Sequence, residues 1–142
     1  MNIKIKYLEN ASKIVKVGGK KSNWYDLYTY EDVNFNKNDF RLINLGVAMK
    51  LPEGYEAHIV PRSSTFHQFG IIQTNGVGII DNSYSGPDDI WRFPALATRD
   101  AFIPKNTRIC QFRLYKIQED LDFIEDDLAN EENRSGFGST GI

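Results

Sequence analysis

The sequence predicts an all-β sandwich or barrel. Three observations lead there: apolar residues recur with a period of two in short runs, clusters of Gly, Pro and Asn separate those runs, and only one segment suits a helix. Asn2 to Leu8 alternates, with Ile3, Ile5 and Tyr7 on one side, and is the first expected strand. Further strands are expected at Tyr25 to Thr29, Phe40 to Lys50, Glu56 to Val60, Ile71 to Gln73, Val77 to Ile80, Trp91 to Ala97 and Arg108 to Ile117. Turns fall between them at Val17-Gly18-Gly19-Lys20, Asn34 to Asp39, Pro52-Glu53-Gly54, Asn75-Gly76, Ser85-Gly86-Pro87 and Pro104-Lys105-Asn106. The helix candidate is a turn or two at Ser64 to Phe69. No internal repeat is present.

The 142 residues suit one domain with a real core, and 41% hydrophobic with 25% charged residues is a globular composition. A net charge of -2 argues against extended nucleic-acid binding, which needs a basic surplus to displace counterions. A small anion is a different matter, since two or three placed arginines suffice. Cys110 is the only cysteine, so no intrachain disulfide forms, and a reducing, cytoplasmic setting is expected. The N-terminal stretch lacks the apolar block of a signal peptide, and no run approaches the length of a membrane-spanning helix.

From Glu119 to Glu132 eight of fourteen residues are acidic, a pattern that reads first as a solvated face. Leu121, Phe123 and Ile124 within it are candidates for one edge strand. Past Leu128 no apolar residue recurs before Phe137, so residues 1–128 read as the folded domain and 129–142 as a flexible C-terminal arm. Arg134, Ser139, Thr140 and glycine-associated amides in this arm are the ingredients of an anion-binding nest, provided something orders them.

Two internal segments carry chemistry. In "IVPRSSTF" Pro61 stops a strand and presents Arg62, Ser63 and Ser64 in a loop, where a guanidinium fork beside hydroxyls suits phosphate; a plain surface turn is the other reading. In "TNGVGIIDNSYSG" Asn75-Gly76 is a hairpin signal and Gly78 allows a close backbone approach, so bare amides and carbonyls can meet the edge of a small ring. Asp81 then follows two isoleucines, a setting for a general base as well as for an ordinary turn. His58 and His67 match no zinc spacing with Cys110 and read as structural or surface residues. Neither a G-x-S-x-G elbow nor a triphosphatase P-loop is present.

In order along nearly the whole chain, "WYDLYTYEDV" with Asp26-Leu27, "PRSS", "NGVGIIDNSYSG", "RICQF" and "RSGFGSTG" resemble the five motifs of the trimeric dUTPase family, and "PDDIWRFP" resembles its phage and Bacillus-like branch. The resemblance implies a distorted jelly-roll or β-clip subunit with one short helix. It implies hydrolysis of dUTP to dUMP and pyrophosphate, with Asp81 activating water for attack on the α-phosphorus. Asn75, Gly78 and Ile80 would read uracil, and Tyr84 would pack on the deoxyribose. Arg62, Ser63, Ser64 and Gln111 would hold the phosphates. Arg134, Phe137, Gly138, Ser139 and Thr140 would close over the nucleotide. It further implies Mg2+ held by substrate phosphates and water with no protein metal ligand, and a homotrimer with shared active sites and no nucleic-acid or membrane partner.

The sequence departs from the family where Asn106-Thr107 replace a glycine and an acidic residue before Arg108, and where Trp24-Tyr25 replace small residues. The roles of Trp91 and Arg92 are open. Two other classes share this fold: a dCTP deaminase, which needs a glutamate base, and a regulatory nucleotide-binding protein with a protein partner. The Ile80-Asp81 pair and the complete arm favour hydrolysis.

Overall fold

The period-two runs become strands in the computed structural model, which describes residues 1–138 and 141. The strands are β1 (Lys4–Tyr7), β2 (Tyr25–Tyr28), β3 (Val33–Phe35), β4 (Phe40–Asn44), β5 (Val47–Lys50), β6 (Tyr55–Pro61), β7 (Ile71–Gln73), β8 (Gly78–Ile80), β9 (Arg92–Ala97), β10 (Ala101–Ile103) and β11 (Arg108–Lys116). One helix, α1 (Thr65–Phe69), lies between β6 and β7. The strands form a four-stranded sheet in the order β2-β11-β6-β8, a three-stranded sheet β4-β9-β7, and the two-stranded ribbons β1-β5 and β10-β3. All pairings are antiparallel.

Alternation decides which side chains face inward. In β9 Phe93, Ala95 and Ala97 are buried while Arg92 and Leu96 are exposed, and in β6 Ala57 and Ile59 are buried. Trp91, just before β9, is wholly buried, and its ring meets Phe112 of β11 nearly at right angles with centroids 5.3 Å apart. Trp91 therefore joins the two larger sheets through the core. Its neighbour Arg92 points outward, as the period of two requires.

Three departures from the sequence expectation have local causes. The run Phe40 to Lys50 breaks into β4 and β5 at Leu45-Gly46. Gly46 has φ +71°, and a Cβ there would come within 2.9 Å of the Tyr30 ring, so the chain turns where only glycine fits. The short strands β3 and β10 pair only with each other, and the polar residues around Val33 and Phe35 disguise β3 as part of a turn. The expected edge strand at Leu121, Phe123 and Ile124 does not form: β11 ends at Lys116, the Ile117 amide donates to the Gly54 carbonyl, and residues 118–138 are exposed. Phe123 and Ile124 stand almost fully in solvent, with carboxylates on both sides in the sequence.

The turn before β11 is built without the expected glycine. Asn106 takes up the left-handed conformation at φ +62°, and Thr107 Oγ1 donates to the Pro104 carbonyl at 2.6 Å. Buried Thr29 locks this turn to β2: its hydroxyl donates to Pro104 O at 2.8 Å and accepts from the Thr107 amide at 3.0 Å. Asparagine tolerates that backbone region and a β-branched residue does not. Asn106→Gly is therefore expected to keep wild-type stability, whereas Asn106→Val should lose about 1–2 kcal/mol, read from urea midpoints.

Candidate functional site

Strand β6 carries one candidate group at each end. At its C-terminal end Pro61 is still paired with Cys110, so the strand runs one residue past the point where proline was expected to stop it. The loop that follows is pinned by Thr65. Its hydroxyl accepts the Arg62 amide at 3.0 Å and donates to Ile109 O at 2.8 Å on β11. Thr65 is buried, and the sequence does not single it out, because a threonine after two serines carries no periodic signal. Ser63 is exposed, and Ser64, at the start of α1, makes no side-chain capping bond, so its hydroxyl is not spent on the helix.

Arg62 does not stand alone. Its Nε lies 3.5 Å from Asp26 Oδ2 of β2, and its Nη1 donates to Arg108 O at 3.3 Å. Arg108 Nη1 donates to the same Asp26 oxygen at 3.1 Å. Gln111, opposite Asp26 in the β2–β11 register, donates through Nε2 to Pro61 O at 3.1 Å. Two guanidiniums and an amide thus converge on the end of β6, with one carboxylate between the arginines. Cys110 lies behind this group in the core; burial raises its thiol well above the usual range, and the nearby Asp26 charge raises it further.

At the other end of β6, Ala57 is paired with Ile80, so Asp81 emerges just beyond it, exposed to solvent. The Asn82 side chain fixes the turn beneath this carboxylate by donating to both Pro52 O and Tyr55 O at 2.8 Å. The Tyr84 hydroxyl donates to Ile90 O at 3.0 Å and ties its ring to the segment leading into Trp91. The sequence does not single out Asn82, one polar residue among several in a turn, or Ile90, which contributes only its backbone carbonyl.

The segment between β7 and β8 corrects the hairpin expectation. Asn75-Gly76 does turn the chain, with Gly76 at φ +70° and the Val77 amide donating to Asn75 O at 2.8 Å. The flanking strands nevertheless separate, β7 to β9 and β8 to β6. Gly78 is buried, and a Cβ there would meet Gln73 Nε2 at 3.2 Å and Ile59 Cβ at 3.3 Å. Its smallness serves first to seat the turn on β6. Buried Gln73 donates to Ile59 O at 3.0 Å, and its Oε1 is without a partner among the described residues. Asn75 is exposed and Ile80 is half-buried against the core.

The two ends of β6 do not meet within one chain. From Ala57, beside Ile80, to Arg62 the strand advances five residues, about 17 Å at the usual rise. Asp81 and the Arg62–Ser64 loop, expected to serve one ligand, are therefore held apart by rigid sheet. In the arm, Arg134 and Phe137 are exposed, while the expected contributions of Ser139 and Thr140 lie outside the described residues. His58 on β6 is half-buried, its Nε2 2.6 Å from Glu56 Oε2 and its ring stacked on Tyr115 at 4.1 Å; His67 is exposed on α1.

Comparison with known proteins places these features in a family. The dUTPase family model matches residues 10–141. Over 142 residues, and 99% of both chains, the sequence is 54% identical to the SPbeta prophage-derived deoxyuridine 5'-triphosphate nucleotidohydrolase of Bacillus subtilis. It is 34% identical to the deoxyuridine 5'-triphosphate nucleotidohydrolase of Nautilia profundicola, again over 99% of each chain. Among solved structures, the dUTPase of Staphylococcus bacteriophage 80alpha with dUPNHPP shares the fold at a TM-score of 0.83 and 21% identity, covering 99% of both chains. A mutant dUTPase of Staphylococcus aureus phage phi11, described with a structural Mg(II) ion, matches at 0.78 and 16% identity over 90% of this chain and 99% of its own.

Since Thr65 bonds to both the loop amide and β11, replacing its hydroxyl by a methyl leaves a donor and an acceptor unpaired in a buried place. Thr65→Val should lower unfolding free energy by about 1–3 kcal/mol, measured by denaturant titration.

Proposed function

The chain belongs to the dUTPase family, and we propose that it hydrolyses dUTP to dUMP and pyrophosphate in sites built between copies of itself. The full-length likeness to the prophage nucleotidohydrolase carries the activity. The separation of Asp81 from Arg62 along β6 supports the shared site, because a base and the phosphates it works beside must lie within a few ångströms of one reacting phosphorus. A homotrimer brings Asp81 of one subunit to the arginine loop of the next, as closed cyclic symmetry allows.

In this reading the turn from Asn75 to Ile80 reads the uracil edge with backbone groups and the Asn75 side chain. Gly78 keeps the turn tight enough to exclude a bulkier base. The Tyr84 ring, tethered through its hydroxyl, offers a flat face to deoxyribose and crowds a 2′-hydroxyl. Arg62, Ser63, Ser64 and Gln111 hold the phosphate chain by charge-assisted and neutral hydrogen bonds. Asp81, on a turn that Asn82 fixes from below, holds a water and takes its proton as the oxygen attacks the α-phosphorus. Alignment and charge neutralisation do most of the work, since the leaving pyrophosphate departs with its own electrons.

Among the described residues no three His, Cys, Asp or Glu side chains lie close enough to hold a metal ion. That donor set fits a Mg2+ that arrives on the triphosphate with its own waters, a normal habit of this ion. When bound it supplies charge neutralisation on the phosphates. The arm would then lay Phe137 over the base and bring Arg134, Gly138, Ser139 and Thr140 to the phosphates, closing the site from a third direction. No helix among the described residues is long and apolar enough to cross a membrane, and we assign the enzyme to the cytoplasm, where its nucleotide substrate lies.

Asp81→Asn and Arg62→Ala should each lower turnover by about 10²- to 10⁴-fold, with nucleotide binding retained by the first. Mixed and reassembled, the two variants should regain about a quarter of wild-type activity, the share of sites that draw both intact residues from neighbouring chains. No recovery in a demonstrably mixed assembly would refute the shared site. Truncation after Glu132 should leave a folded assembly with weak nucleotide binding and slow turnover; full activity would remove the arm from the site.

A further inference from the structure

We propose that Gln73 is a positioning residue that sets base specificity: its side-chain amide fixes the width of the turn from Thr74 to Val77 and so decides which base that turn admits. The inference rests on the reading of this turn as the uracil slot and extends it to a residue buried at the foot of the turn. Gln73 and Gly78 are the two feet, the last residue of β7 and the first of β8. In a hairpin, ladder bonds between the flanking strands would hold the feet at a fixed spacing. Here β7 pairs with β9 in the three-stranded sheet and β8 with β6 in the four-stranded sheet, so each foot stands on a different sheet. The mouth of the turn therefore follows any shift of one sheet against the other.

The Gln73 side chain closes that gap. Gln73 lies opposite Ala95 in the β7–β9 register and is buried with it, only 6% exposed. Its Nε2 donates at 3.0 Å to the carbonyl of Ile59, the residue paired with Gly78. The same nitrogen lies 3.2 Å from the place a Gly78 Cβ would take, so the amide packs against the second foot. One side chain thus ties β7 to β6 at the point where β8 begins, in place of the missing ladder. An amide at this position has a cost. Gln73 Oε1 is buried and without a partner among the described residues, which an apolar side chain of the same length would avoid. Such a cost is kept where position matters more than stability. The slot needs that precision, because one methyl group more or less in a pocket is worth only about 10- to 200-fold in discrimination.

The test is steady-state hydrolysis of dUTP and of dTTP, followed by pyrophosphate release in magnesium buffer, for wild type, Gln73→Met and Gln73→Asn, with thermal midpoints measured on the same samples. Methionine matches the length of glutamine and lacks the donor. Gln73→Met should raise KM for dUTP about tenfold with kcat within about twofold of wild type. Its preference for dUTP over dTTP in kcat/KM should fall about tenfold, while its thermal midpoint stays near that of wild type. Gln73→Asn keeps a buried amide that is one carbon too short to reach Ile59 O, and should lose the same preference, which keeps the test readable if Gln73→Met does not fold. A merely structural Gln73 would lower the midpoints of the variants and leave KM and base preference at their wild-type values, which overturns the proposal. Absence of any preference for dUTP over dTTP in wild type would remove the uracil reading of the turn itself. Discrimination by wild type that both variants match would overturn the role of Gln73 alone.

Discussion

The pairing of β6 with β11 is the constraint on which the rest of the structure depends. It runs from Cys110 opposite Pro61 to Lys116 opposite Tyr55, and β2 and β8 attach to its two outer edges. Because register is fixed by alternation, a slip of one residue would turn Cys110 and Phe112 outward and Gln111 inward. It would also carry Asp26 off the arginines. The same ladder sets the distance between Asp81 and Arg62. A straight, hydrogen-bonded strand is a stiff ruler, and here it keeps Asp81 and Arg62 at opposite ends of β6 within one chain.

Much of this was legible in the sequence because it was periodic or punctuated. Strands with clean alternation, such as β9 and β11, lie within a residue of their expected limits, and "SSTFHQF" does hold the one α-helix among the described residues. Long-range pairing was not legible. Asn75-Gly76 predicts a turn from backbone preference, which is local, but whether the flanking strands pair with each other depends on which edges other strands leave open. For the same reason β3 and β10 were missed: each is stabilised by a partner about seventy residues away, not by its own pattern. In the candidate site, the sequence names motif residues where chemistry repeats a familiar type order. Their supports, Thr65, Asn82 and Thr29, were invisible because a buried hydroxyl or amide looks in sequence like any turn residue.

Polar side chains buried beside the site do the work of rigidity that the short loops cannot. Thr65 joins the arginine loop to β11, Thr29 joins the turn before β11 to β2, and Gln73 joins β7 to β6. Each links elements that no ladder links at that point. Satisfied hydrogen bonds of this kind specify one arrangement over near alternatives, because the alternatives would leave the groups dry and unpaired. The arginine pair is the exposed counterpart of the same device, with a carboxylate in place of a hydroxyl.

The exposed stretch from Glu119 to Leu128 also bears on how one copy of the chain meets another in solution. Phe123 and Ile124 stand out in solvent, in a segment with β-forming residues that could adhere to a stray sheet edge of another nascent chain. Asp122, Glu125, Asp126 and Asp127 surround them. Such charges act as gatekeepers: like-charged strands repel when stacked in register, which opposes stacking of this segment although its apolar side chains are uncovered. The acidic run thus favours colloidal stability of the chain while these apolar residues stand uncovered.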